Sequence, residues 1–113
     1  MVGSGGETTT TTTVTGSAFT DLTQNSATPA VQTDRDLFRT QNTSPITITN
    51  FTCTGVYESY RFLLFINDEN TTINNSTHIK TKASGARSKY DIFDVMCVDQ
   101  ATPIWVAMLQ DNT

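Results

Sequence analysis

Leucine occurs only five times in 113 residues, at Leu22, Leu37, Leu63, Leu64 and Leu109, and only 16% of the chain is charged. A helical bundle draws heavily on leucine, alanine, glutamate and lysine, the residues that lose least on entering a helix, so that class is excluded. No apolar run approaches the ~20 residues of a membrane-spanning helix and no secretory signal pattern is present, so membrane insertion is not expected. Cations are few as well. Seven Lys and Arg against eleven Asp and Glu leave a net charge of -4, which argues against a nucleic-acid or anionic-membrane partner. With one histidine (His78) and two cysteines (Cys53 and Cys97), a metal site of ordinary ligand spacing has little support. No Gly-rich phosphate loop, nucleophile elbow or triad spacing occurs, so neither a cofactor nor an enzymatic activity is expected.

Threonine is what the chain has in excess, with 23 residues. At 12.4 kDa the chain is large enough for one small domain. Residues 1–6, MVGSGG, read as a leader segment. Residues 7–33 hold six consecutive threonines, then Val14, and from there to Thr33 only Phe19, Leu22 and Val31 as large apolar side chains. This stretch reads either as a linker or as the end of a β-structured shaft that pairs with copies of itself, since β-branched residues are stiff and strand-prone. From residue 34 to 113 short strand signals recur between turn formers, at 37–39, 46–51, 60–67, 71–73, 78–81, 90–98 and 104–110. No segment sustains a 3.6-residue period. The expected class is all-β, a single β-domain over 34–113.

The three longest strands are apolar on both faces. Phe62, Leu64 and Ile66 alternate with Leu63 and Phe65; Phe93, Val95 and Cys97 alternate with Ile92, Met96 and Val98; Ile104, Val106 and Met108 alternate with Trp105, Ala107 and Leu109. A strand at the surface of a lone small domain is expected to be polar on one side. A core of about 80 residues buries only about 60 to 65% of its unfolded surface and has no spare layers to cover a second face. Exposed together, such residues would form an apolar patch of a size monomers seldom show. Burial between identical chains, worth about 1.5 to 3 kcal/mol per large side chain, is the expected resolution.

The order of motifs is similar to that of the C-terminal module of trimeric bacteriophage tail spikes and tail fibres, which follows β-helix domains of the pectate-lyase-like superfamily. The likeness rests on ATPAV at 27–31, DLFRTQNTSPITITNF at 36–51, NDENTTINNSTHIK at 67–80 and a closing strand bearing Trp105, and it spans about residues 27–109. Its most specific piece is Asn70-Thr71-Thr72-Ile73 with Asp68 upstream. The family's Gly-Gln turn is replaced here by Glu58, Ser59 and Tyr60, and Thr81 stands where an apolar residue is usual.

The resemblance implies a small β-sandwich or prism-like module that assembles as a closely packed or intertwined homotrimer and registers its chains at the tail tip of a virion, after synthesis in the host cytoplasm. In that reducing setting Cys53 and Cys97 are expected as thiols. The family pattern also implies that Phe62, Leu64, Ile66, Phe93, Val95, Val106 and Met108 point inward. Leu63, Phe65, Trp105, Ala107 and Leu109, with Ile92 and Met96, then form the oligomer interface. An alternative function is a tip that binds a host receptor or surface polysaccharide through Tyr57, Tyr60, Asn74 and Asn75. The five Asn-x-Ser/Thr sequons at Asn42, Asn50, Asn70, Asn74 and Asn75 read as products of composition rather than glycan sites, and Lys80, Lys82, Arg87 and Lys89 as a solvated, edge-protecting group.

Overall fold

The computed structural model of the chain describes residues 18–110. Among them there is no helix, and nine strands form two sheets. The strands are β1 (Thr20–Asp21), β2 (Leu37–Arg39), β3 (Ile46–Ile48), β4 (Arg61–Phe65), β5 (Thr71–Ile73), β6 (Ile79–Lys80), β7 (Gly85–Ala86), β8 (Ile92–Asp99) and β9 (Ile104–Gln110). The larger sheet has the order β1-β2-β4-β8-β9-β6 and the smaller one β3-β5-β7. The all-β expectation holds, and the expected strands at 37–39, 71–73 and 104–110 have the observed bounds.

Residues 20–80 wind through three successive turns whose equivalent segments stack in parallel. β1 lies on β2 and β2 on β4, with Thr20 beside Phe38 and Phe38 beside Leu64. β3 lies on β5 with Ile46 beside Thr71, and an isolated parallel bridge joins Ala30 to Thr52. Strands of two or three residues suffice because each turn is tied to the next by short backbone bonds, such as Val31 N to Thr52 O at 2.9 Å and Thr40 N to Phe65 O at 3.0 Å. The tail of the chain then reverses direction. β7 pairs antiparallel with β5, β8 antiparallel with β4, and β9 antiparallel with β8 and parallel with β6, so the third turn meets antiparallel partners on the side away from the second.

The core runs the length of this stack. Leu22 and Val31 come from the first turn, Phe38, Ile48 and Phe51 from the second, Phe62, Leu64, Ile66, Ile73 and Ile79 from the third, and Phe93, Val95, Cys97, Trp105 and Ala107 from the tail. Residues 18–33 are therefore part of the fold, which begins upstream of Asp34; the poly-threonine run and residues 1–6 lie outside the described residues. Trp105 is fully buried, its ring 5.6 Å from Phe51 and 5.8 Å from Phe62 in near-perpendicular contacts, and its indole N–H donates to Asn50 Oδ1 at 3.2 Å. Edge-to-face pairs of this kind contribute about 0.5 to 1.5 kcal/mol beyond area burial.

The inward face expected for the last strand is corrected. Cys97 pairs with Trp105, Val95 with Ala107 and Phe93 with Leu109. Directly opposed residues of an antiparallel pair share a face, so Trp105 and Ala107 join the core, while Met108 is 46% exposed and Val106 half-buried. Because β9 is apolar at every position from Ile104 to Leu109, its period cannot say which set goes in. The largest side chain takes the interior. Trp105→Ala is accordingly expected to lower unfolding free energy by about 3 to 5 kcal/mol in chemical denaturation, and Met108→Ala by less than about 1 kcal/mol.

Candidate functional site

Two features carry most of the chemistry on this scaffold: a polar hub that locks the three turns together and the outer face of the six-stranded sheet. The hub is built around Asp68. Its carboxylate accepts from the backbone N–H of Asn42 at 2.8 Å and of Asn70 at 2.7 Å, from the Thr71 hydroxyl at 2.8 Å, and from Thr40. The Asn42 side chain donates to Thr71 Oγ1 at 2.9 Å and accepts from the Asn25 N–H at 2.7 Å, and the Asn70 amide returns a bond to the Asn42 carbonyl at 2.9 Å. One residue from each turn is thus joined in a continuous chain: Asn25, Asn42, and the Asp68 to Thr71 segment. Thr40, Asn42 and Thr71 are buried, and each has a partner, as buried polar groups require.

Partial burial of Asp68 works to raise its pKa, but the bonds from Thr40, Asn70, Asn42 and Thr71 favour the charged form and hold it below the ordinary carboxylate value. Its contribution to stability is therefore complete above the unfolded pKa of about 4 and is lost as pH falls through the lowered native value.

On the outer face of the large sheet the side chains fall in rows set by the register. Leu37, Leu63, Asp94 and Met108 make one row; Arg39, Phe65, Ile92 and Gln110 the next; Arg61, Met96, Val106 and Lys80 the third. Leu63 is 41% and Met108 46% exposed, and Phe65, Ile92, Met96 and Val106 are half-buried. Phe65 extends the apolar area sideways, with Phe19 centred 5.4 Å away and the Tyr90 ring stacked at 6.0 Å. The central charges of this face are matched in place: the Arg61 guanidinium grips Asp94 through both Nε and Nη2, and Arg39 pairs with Asp21 at one sheet edge, while Lys80 at the other edge donates to the Ser76 carbonyl.

Four of the seven expected interface residues, Leu63, Phe65, Ile92 and Met96, share this outer face. The other three do not. Trp105 and Ala107 are buried within the single chain, and Leu109 opposes Phe93 on the inner side and emerges only at the end of β9. Met108 and Val106, read as inward, belong to the outer face instead, and Ile104 shares their parity. The sequence reading also missed Phe19 and Tyr90. Phe19 is a large apolar residue just before a two-residue strand, and Tyr90 is held at φ 82, a backbone conformation bulky side chains rarely adopt.

The receptor set does not come together. Tyr60 is buried, and its hydroxyl sits 2.6 Å from the Gln32 carbonyl and 2.7 Å from the Arg35 carbonyl, sharing its proton to tie down the 32–35 turn; burial pushes its pKa up. Tyr57 is exposed against Tyr60, beside a shallow cleft formed with residues 33–36, whereas Asn75 borders a different groove. Asn74 and Asn75 brace a loop, accepting from the Ser84 hydroxyl at 3.2 Å and from the Thr81 N–H at 2.8 Å.

The remaining titratable groups serve structure. His78 Nδ1 lies 2.8 Å from the Pro103 carbonyl, so that nitrogen carries the proton. Asp91 accepts from the Ser88 N–H at 3.0 Å, and Asp99 caps the β8–β9 turn through the N–H groups of Ala101 and Thr102. Cys53 and Cys97 are both free thiols, and burial raises the pKa of each. Ser59 has a left-handed backbone at φ 75, and Thr81 Oγ1 is engaged by the Ala83 N–H. Among the described residues no group of three His, Cys, Asp or Glu side chains is arranged to hold a metal ion.

Asp68→Ala is expected to cost about 3 kcal/mol, since it strands two backbone donors and two threonine hydroxyls. In thermal unfolding scans between pH 7 and pH 2, Asp68→Asn is expected to flatten part of the fall in melting temperature on the acid side. No family model matches the chain, and no curated protein and no solved structure is significantly similar to it.

Proposed function

We propose that the chain is a structural, non-enzymatic module that associates with copies of itself through the outer face of its six-stranded sheet. The observation that carries this reading is the composition of that face: Leu37, Leu63, Phe65, Ile92, Met96, Val106 and Met108 adjoin one another across four strands, and the charges among them, Arg61 with Asp94 and Arg39 with Asp21, are neutralised by partners on the same face. This part of the face can be dehydrated without leaving a lone charge behind, which is the costly step in burying polar groups, and Lys80 stays at its rim. Interface cores are likewise depleted in unpaired charge and enriched in aromatic residues, methionine and arginine.

The order of association is three, and the setting is the distal end of a phage tail spike or fibre in the virion. That part of the reading rests on the resemblance of the 36–51 and 67–80 segments to the trimeric tail module. The parallel winding of residues 20–80 and the antiparallel strands that follow agree with it, because a wound parallel stack needs some element to occupy its last hydrogen-bonding edge. In the assembly the Arg61 and Asp94 pair would be sealed beneath neighbouring chains and would fix their register.

Light scattering of single variants tests the face. Leu63→Asp and Phe65→Asp are expected to shift the protein to the monomer mass, because each places an unpaired carboxylate in the middle of the buried surface. Lys82→Ala, off that face, is expected to leave the mass unchanged. Aspartate variants that remain assembled would show that another surface joins the chains.

A further inference from the structure

β9 outlasts its neighbour. β6 accompanies it only at Ile79 beside Trp105 and Lys80 beside Val106, whereas β8 stays paired with it as far as Gln110. Successive residues of a strand turn their N–H and C=O groups to opposite edges. The Trp105 N–H donates to the His78 carbonyl at 2.8 Å on the β6 side. By alternation, Ala107 and Leu109 turn their N–H and C=O groups the same way. The Ala107 N–H is taken up by the ladder at Lys80, which leaves the Ala107 carbonyl and both backbone groups of Leu109 facing the space beyond the end of β6, where no strand of the described residues is paired with them.

That space is a groove of about 640 Å³, inside the range of about 300 to 1,000 Å³ typical of ligand clefts. Val106 to Leu109 make one side and residues 80–83 the other. The lining is largely apolar, with the stems of Lys80 and Lys82 along it. Neither ammonium has a carboxylate within ion-pair distance among the described residues; the Lys80 ammonium donates to the Ser76 carbonyl at 2.9 Å. The nearer edge of β9 thus offers one N–H donor, at Leu109, and two carbonyl acceptors, at Ala107 and Leu109, spaced two residues or about 6.8 Å apart, beside two uncompensated cations. Such a repeat matches the backbone of an extended chain and no compact small molecule.

We propose that this groove receives an extended peptide strand carrying an acidic side chain, from another polypeptide, which adds to the edge of β9. Its backbone bonds to Ala107 and Leu109 and its carboxylate meets Lys80 and Lys82. Strand addition of this type takes its affinity from main-chain bonds and its selectivity from the flanking side chains. Lys80, Val106 and Met108 border both this groove and the outer face, but the groups that would receive the strand, those of Ala107 and Leu109, lie on the sheet edge and not on that face.

The test uses the full chain and a synthetic ten-residue peptide of alternating valine and threonine with one glutamate near its amino end. Saturable binding is expected, with amide NMR shifts largest at Ala107, Leu109 and residues 80–83. N-methylation of alternate peptide residues, on the edge that meets β9, is expected to weaken binding at least tenfold, and lysine in place of the glutamate to weaken it about fivefold. Leu109→Pro removes a groove-facing N–H that has no partner within the described chain, and is expected to abolish binding while far-UV circular dichroism is retained. If that variant does not fold, the N-methylated peptide on the unaltered chain decides. No saturable binding, equal binding of the N-methylated peptide, or shifts confined to another surface would overturn the proposal. So would groove amides found protected in the peptide-free protein only when it self-associates, since a second copy would then fill the edge.

Discussion

The pairing of β8 with β4 is the constraint on which the rest of the structure hangs. Once Phe93 opposes Leu64 and Val95 opposes Phe62, the four side chains share one face and the inside of the sheet is defined. β9 then inherits its parity from β8, which sends Trp105 and Ala107 inward and leaves Val106 and Met108 outside. The same pairing places Asp94 beside Leu63 within reach of Arg61, so the central charges of the outer face are neutralised by the register that builds the core. A one-residue slip of β8 against β4 would turn Asp94 inward and Phe93 outward while β4 keeps its faces.

The polar hub complements that constraint from the other end of the molecule. Turns held by strands of two or three residues gain little from ladder bonds alone. The bonds of Asn25, Asn42 and Asp68 connect turns that lie far apart in sequence, with Asn42 buried between the other two. Apolar stacking supplies most of the driving force, and the hub selects the register in which turns of unequal length are aligned.

Strand chemistry made the fold class legible: scarce leucine, abundant threonine and short apolar runs between turn formers. The segment Asp68 to Ile73 stood out as the most specific motif and proved to be the hub. The first turn was hidden because Leu22 and Val31 are sparse among polar residues, so their burial depends on stacking against later turns and not on any local period. β7 is two residues, Gly85 and Ala86, within a stretch that reads as a loop. For the site, Leu63, Phe65, Ile92 and Met96 were legible because apolar residues on both faces of a strand require two coverings. Trp105 and Ala107 were assigned to the wrong side because β9 is apolar at every position along most of its length, and only the cross-strand register decides its orientation. Tyr60 looked like a surface aromatic in a turn, yet its hydroxyl is spent on two backbone carbonyls brought close by the fold.

Together these features describe a small wound β-structure with a continuous core, whose principal sheet still offers an apolar outer face with its central charges paired. Sedimentation equilibrium of the unaltered chain across the micromolar range tests that account most directly. A single species at three times the 12.4 kDa chain mass is expected. A folded species at the mass of one chain over the same range would contradict it.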